Sequence, residues 1–275
     1  MVSSRLAAFL AALCAISCVG TPVRAVDVDF SLKDDLPPSA WIVELGGYGV
    51  LEPTYLGSKY YNIGFKPLVG FRQAGDREWL SFPNDAFDYN LYETADFRAG
   101  PAGNLTLQSR LHGQDIDLRL GKADVDLQGG AFAEYYPVNS IRTRAELLQG
   151  VTGNMGFAVN LSADYIWRPA ADWTLTFGPR AQVVNDQYAS DYFSTQIAFR
   201  NNNVYVPYRA EGGVLTSGAE FTGKYDWTAQ VTTKVYIDYN QLVGDAADSP
   251  RVALKGSSEQ VVLGVGATYK FAVQP

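Results

Sequence analysis

One histidine, His112, and two cysteines, Cys14 and Cys18, are all that 275 residues offer to imidazole, thiol or soft-metal chemistry. Both cysteines fall within the first 25 residues, ahead of an expected cleavage point, so the rest of the chain carries no thiol. It can form neither a disulfide framework nor a thiolate metal site. A zinc centre needs three or four nitrogen and sulfur ligands, which one imidazole cannot supply. His112 also lacks a nucleophile: Ser109 is three residues away, and along a strand those two side chains leave opposite faces. No catalytic residue, metal ligand or cofactor is expected. The aspartates of NDQYASD (185–191) and GDAADS (244–249) lack the spacing of a calcium loop and suit surface turns. Absent too, after the N-terminus, is any uncharged apolar stretch of 18 or more residues, which excludes an ordinary transmembrane helix. Basic charge is scarce. Without residues 1–25 the chain has 20 basic against 29 acidic residues, a net charge of -9, and an acidic chain has no footprint for nucleic acid.

What is present begins with MVSSRLAAFLAALCAISCVGTPVRA. A basic Arg5, an apolar run from Leu6 to Val19 and small residues at Val23-Arg24-Ala25 make residues 1–25 a secretory signal, cut between Ala25 and Val26. Residues 26–39, VDVDFSLKDDLPPS, are acidic and end in prolines, the composition of a flexible leader on the periplasmic side. Residues 40–275 form the third unit.

That unit is written in period two. In GFAVNLSADYIWRP (156–169) every odd position from Phe157 to Trp167 is apolar, while Asn160, Ser162, Asp164 and Arg168 hold even ones. Stretches 215–226, 227–240 and 259–271 repeat the pattern, and a helix would mix the two sets around its circumference. Weaker runs near 40–51, 60–72, 86–98, 102–112, 115–121, 125–136, 140–148 and 172–186 bring the total to about twelve strands, within a range of about 10–14. Alternate connections are short (112–115, 137–140, 168–172, 225–228), and the two longest, 187–211 and 241–258, lie on the other rim. This is the habit of an all-β, antiparallel, up-and-down transmembrane barrel. The lower segment QAGDREWLSFPND (73–85) is too long for that rule. All five tryptophans, Trp41, Trp79, Trp167, Trp173 and Trp227, fall at the lower rim, as a membrane–water interface favours. The apolar faces then look at outer-membrane lipid, and the wet faces line the interior with charges of mixed sign: Arg142, Arg144, Asp164, Arg168, Arg180, Glu220, Lys234 and Asp238. Paired across a narrow lumen, they read more readily as cross-braces than as a selectivity filter.

Three stretches carry a family resemblance. PTYLGSKYYN (53–62) holds Tyr55, Gly57 and Ser58; NDQYASDYFS (185–194) holds Tyr188, Tyr192 and Phe193; NQLVGDAADSP (240–250) holds Gly244, Asp245, Ser249 and Pro250 and leads into a last strand ending at Phe271. In these the chain resembles the MipA/OmpV family of Gram-negative outer-membrane proteins, named for interaction with a lytic transglycosylase. The chain departs from the family in carrying Ala272-Val273-Gln274-Pro275 beyond Phe271, and Lys59-Tyr60 where acidic residues are usual. The resemblance implies a non-enzymatic barrel that brings a murein synthase together with a lytic transglycosylase, through the leader, segment 73–85 or the lower turns. A narrow channel for small solutes and a surface adhesin or environmental-response barrel are the other readings that the residues leave open.

Overall fold

The structure is a computed structural model, and it describes residues 27–29, 36–37, 39–74, 79–80, 82, 84–108, 124–152, 155–195, 199–200, 203–204 and 207–274. The signal segment with Ala25 and Val26, the expected strand at 115–121 and His112 lie outside the described residues. In chain order the elements are β1 (Asp27–Asp29), β2 (Trp41–Pro53), β3 (Tyr61–Gln73), β4 (Phe87–Asp88), β5 (Tyr92–Glu93), β6 (Phe97–Gln108), β7 (Asp124–Val138), β8 (Ile141–Thr152), β9 (Phe157–Ala170), β10 (Trp173–Val184), α1 (Asp186–Phe193), β11 (Phe199–Arg200), β12 (Asn203–Val204), β13 (Gly213–Asp226), β14 (Val231–Leu242), α2 (Gly244–Asp248), α3 (Pro250–Ala253) and β15 (Glu259–Gln274).

One antiparallel sheet takes in thirteen of these strands, ten of them long, in the order β3-β2-β15-β14-β13-β10-β9-β8-β7-β6-β4, with β1 and β5 at its margins. Among the ten long strands, neighbours in the sheet follow one another in sequence except at one place. There β15 pairs with β2 from Leu263↔Leu51 to Val273↔Trp41 and joins the two ends of the chain. Strand β15 runs on to Gln274, so the residues beyond Phe271 are used: Ala272, Val273 and Gln274 also pair with Asp29, Val28 and Asp27 of the leader.

The faces divide as the alternation requires. On β14, Val235, Ile237 and Tyr239 point outward and are exposed, whereas Thr232, Lys234, Tyr236 and Asp238 point inward and are buried. Leu147, Leu161, Phe177, Phe221, Leu263 and Val265 continue the outward apolar band. An apolar exterior and a charged interior are the inverse of a soluble barrel, and they suit hydrocarbon. Four tryptophans ring the lower rim from outside, Trp173 and Trp227 both packing on Tyr225 at 4.9 and 4.7 Å, and Trp41 on Phe71 at 6.3 Å. Trp79 differs from the expectation. Its indole is turned inward, against Tyr136 at 5.3 Å and the Arg98 guanidinium at 5.4 Å.

The long lower segment explains itself through strand direction. Strand β3 descends to the lower rim, and β4, antiparallel to the ascending β6, descends as well, with Phe87 opposite Gly103. The chain must therefore regain about 20 Å of height between β3 and β4. Of the described residues on the way, Phe82 and Ala86 are buried inside the barrel and are not part of the wall. Among the described residues β3 pairs only with β2, so the sheet curls without a hydrogen-bonded seam between β3 and β4. The sequence runs 86–98 and 102–112 are thereby redrawn: the turn lies at Thr94-Ala95-Asp96, and β6 starts at Phe97.

If the outward band meets lipid, Ile237→Arg at mid-height on β14 should lower the folding free energy in bilayers by about 2–4 kcal/mol, and Trp227→Arg at the rim by about 1 or less. Equilibrium denaturation in liposomes measures both, and equal, small effects would contradict the lipid-facing assignment.

Candidate functional site

Inward-facing charges on successive strands line up into a belt. On β6 and β7, Arg98 and Glu134 are register partners and form a bidentate pair at 2.9 and 3.0 Å. On β8 and β9, Arg142 and Asp164 are register partners at 3.0 Å, and Arg142 also reaches back to Glu134 at 2.7 Å. Arg144 bonds Glu146 at 2.8 Å and Glu134 at 3.1 Å. Arg180 on β10 continues the belt to Asp164 at 2.7 Å and to Glu220 on β13 at 3.4 Å. Arg142 and Glu134 are wholly buried. A buried charge of this kind is tolerable only when paired and hydrogen-bonded, and here the partners lie on neighbouring strands, which the belt cross-braces.

The climbing segment is keyed into this belt. Asp85 pairs with Arg142, and Asp88 pairs with Arg144 at 2.6 Å and with Arg98 at 3.2 Å. The Ala86 N–H donates to Glu146 at 3.0 Å. The Phe82 ring lies under the Arg142 guanidinium at 4.2 Å, and Ala86 packs with Ala102, Phe132 and Leu148. Asn84 donates its side-chain amide to Glu220 at 2.9 Å and to Asp238 at 3.2 Å. Phe82, Asn84, Asp85 and Ala86 thus lie inside the barrel, held by an ion pair and hydrogen bonds to the wall. For Trp79, Phe82, Asn84 and Asp85 this corrects the expectation that 73–85 is a periplasmic surface; residues 75–78, 81 and 83 lie outside the described residues.

Of the expected interior charges, Arg142, Arg144, Asp164, Arg180, Glu220 and Asp238 meet in the belt or its extension through Asn84. Lys234 is buried lower on β14, opposite Lys224. Arg168 has the inward parity but sits at the rim end of β9; it is exposed and reaches only the Asn139 carbonyl, at 3.5 Å. Arg98, Glu134, Phe82, Asn84, Asp85 and Asp88 are the members that the sequence reasoning passed over. Arg98 and Glu134 carried the signal, since both are charged residues at inward positions of strand runs.

The three signature stretches converge on the upper mouth. Asn185 caps α1 by accepting from the Tyr188 N–H at 3.0 Å, and the same oxygen accepts from the Phe157 N–H at 2.9 Å. Tyr188, Tyr192 and Phe193 pack with Val184, Leu215, Leu242, Ala246 and Val252 in one buried cluster. The Ser249 hydroxyl donates to the Phe193 carbonyl at 2.6 Å, and Arg251 donates to the Tyr192 carbonyl at 2.6 Å while stacking on the Tyr55 ring at 4.4 Å. Pro250 opens α3, with Ser249 as its cap. Gly57 has φ +89, a conformation that other residues adopt at a cost, and its N–H is satisfied by Gln260 at 3.0 Å. Gly244, at φ +55, and Asp245 open α2, and Tyr208 donates to the Asp245 carbonyl at 2.8 Å. Desolvation first, and then the Asp245 and Asp248 carboxylates, push the Tyr208 phenol above its ordinary value. Ser58, fully buried, shares a 2.7 Å hydrogen bond with Thr54.

The family model described as MltA-interacting protein MipA matches residues 45–271. The chain belongs to the MipA family. All ten signature residues and the whole belt fall inside the matched span. No curated protein matches the chain. Similar solved structures include a bacterial polysaccharide outer membrane secretin, at 9% identity over 86% of this chain and 99% of that one, with a TM-score of 0.44. An outer membrane channel from Pseudomonas putida F1 is 14% identical over 87% and 99%, with a TM-score of 0.40. A loop-deletion mutant of OmpT, an outer membrane protein of Vibrio cholerae, is 9% identical over 90% and 100%, with a TM-score of 0.38.

Two substitutions separate belt from rim. Arg142→Ala strands buried carboxylates and should cost about 3–5 kcal/mol; Arg168→Ala should change stability by about 0.5 kcal/mol or less. Urea unfolding in detergent reads both. In the cap, Ser249→Ala leaves the Phe193 carbonyl unpaired, at about 1–3 kcal/mol. Limited proteolysis should then cut near α1 sooner than in the wild type.

Proposed function

We propose that this MipA-family outer-membrane barrel is a non-enzymatic platform that holds a murein synthase and a lytic transglycosylase at its periplasmic rim. The observation that carries the reading is the filled interior. Phe82, Asn84, Asp85 and Ala86 lie inside the lumen, Asp85 and the neighbouring Asp88 on ion pairs, and the upper mouth is packed by the α1, α2 and α3 cap. A wall braced in this way gives a rigid mount, and most of its interior charges are taken up by one another. Export by a signal cut between Ala25 and Val26 would leave the acidic leader 26–39 at the lower rim, where β1 pairs with the end of β15. The leader and the lower turns then form the surface offered to the two enzymes. A narrow channel for small solutes is the second reading, supported by the polar, charge-bearing character of the filling.

The test is affinity capture from a detergent-solubilised envelope, with the folded mature barrel as bait and an unrelated barrel as control. Selective recovery of both enzymes is expected, and removal of residues 26–39 should reduce it severalfold. Recovery of neither by folded bait would overturn the platform. Stable single-channel steps in planar bilayers would favour the channel instead.

A further inference from the structure

The belt is uneven around the barrel. Its arginines, Arg98, Arg142, Arg144 and Arg180, are met by seven carboxylates, Asp85, Asp88, Glu134, Glu146, Asp164, Glu220 and Asp238. The carboxylates least covered by arginine collect at the β13–β14 end, where the nearest guanidinium, Arg180, stands 3.4 Å from Glu220 and is shared with Asp164 at 2.7 Å. There Glu220 and Asp238 are direct register partners, both buried, so that two like charges face each other across one strand spacing. Directly opposed like charges are destabilising unless something donates between them. The donor between the two is neutral, the Asn84 amide bonded to both; Glu220 also meets Arg180 at 3.4 Å and accepts from the Thr222 hydroxyl at 3.1 Å, and Asp238 accepts from a second amide, Asn240, at 2.8 Å. Lys66 is within electrostatic reach of Asp238 but is bonded to Glu52 at 3.0 Å, and Lys234 lies four residues, about 13 Å, along β14.

Beside this pair stand two hydroxyls with nothing to bond. Tyr48 and Tyr236 are 3% and 1% exposed, and among the described residues neither phenol oxygen has a hydrogen-bond partner. Their rings meet edge to face at 5.8 Å, and both hydroxyls lie within electrostatic reach of Glu220, that of Tyr236 also of Asp238. They occupy space that glycine leaves free: a Cβ at Gly264 would stand 2.0 Å from the Tyr236 ring, and one at Gly266 2.4 Å from the Tyr48 ring. Buried hydroxyls are normally satisfied, so an unsatisfied pair beside two carboxylates that share a single guanidinium contact marks a place for a donor-rich cation.

We propose that Glu220, Asp238 and the Tyr48 and Tyr236 hydroxyls form a lumenal binding site for a primary amine, and that the side-chain amide of Asn84 is its built-in stand-in. An ammonium brings what the amide lacks, a positive charge and a third donor, and phenol rings favour a neighbouring cation. The site discriminates by charge against anions. No group of three or more His, Cys, Asp or Glu able to hold a metal ion occurs among the described residues, and the atom now in place is an N–H donor, as an amine nitrogen is. Asn84 is itself exposed, so it can be displaced while Phe82 stays buried. The proposal goes beyond the platform and does not depend on which envelope proteins the barrel holds.

The experiment uses the full mature barrel folded in detergent and titrated calorimetrically with putrescine, and with 1,4-butanediol as the neutral isostere. Saturable putrescine binding without butanediol binding is expected. Asn84→Ala, which removes the competitor, should tighten binding roughly three- to tenfold. Glu220→Gln and Asp238→Asn should each abolish it, and Tyr236→Phe should weaken it, with heat-modified gel migration confirming that each variant is folded. Should one carboxylate variant fail to fold, the other, together with the Asn84→Ala gain, still decides. Absence of putrescine binding in both the wild type and Asn84→Ala overturns the site. So does equal binding of butanediol, or affinity unchanged in Asn84→Ala.

Discussion

The guanidinium of Arg142 is the point from which the rest of the interior can be followed. It is fully buried between β8 and its neighbours, and it binds a carboxylate in the sheet on either side, Glu134 on β7 and Asp164 on β9, together with Asp85 from the climbing segment. Phe82 covers its face. A cation so deep in the protein is tolerable only if all these partners are in place together. The arrangement therefore couples strand register to the position of the segment that fills the lumen. A strand slipped by one residue would turn Arg142 outward into lipid and leave three carboxylates behind.

The wall was largely legible in the sequence because period two is a local property. Phe157 to Trp167, or Val231 to Tyr239, declare their faces without reference to anything distant, and an exposed apolar face next to a charged one has one comfortable environment. The filling was not legible in the same way. Phe82, Asn84 and Asp85 sit in a stretch without alternation, and the groups that hold them are between 57 and 154 residues away in sequence. Parity also says nothing of height. Arg168 and Arg142 both have inward parity, yet one lies at the rim end of β9 and the other inside the belt. Trp79 misled for a related reason: its level at the lower rim was right, but a residue on the climbing segment need not face the lipid that its level suggests.

The signature residues show a different use of sequence. Tyr55, Gly57, Tyr192, Phe193, Ser249 and Pro250 come from three loops far apart in the chain, and they meet through backbone-directed bonds: a serine on a helix-end carbonyl, a glutamine on the Gly57 N–H, an arginine on the Tyr192 carbonyl. Such contacts demand particular side chains at particular places, which makes the motif recognisable. They account for its residues as parts of a lid over the mouth, and they assign no ligand to it.

The descent of both β3 and β4 has one more consequence. The two end strands of the sheet run the same way and cannot be joined by a tight turn, whatever the sequence between them. The piece that joins them is therefore bound by the height of the barrel and cannot be trimmed as a surface loop can. Wall and stopper are one continuous thread, tethered at both ends, so the stopper cannot leave as a detachable cork would.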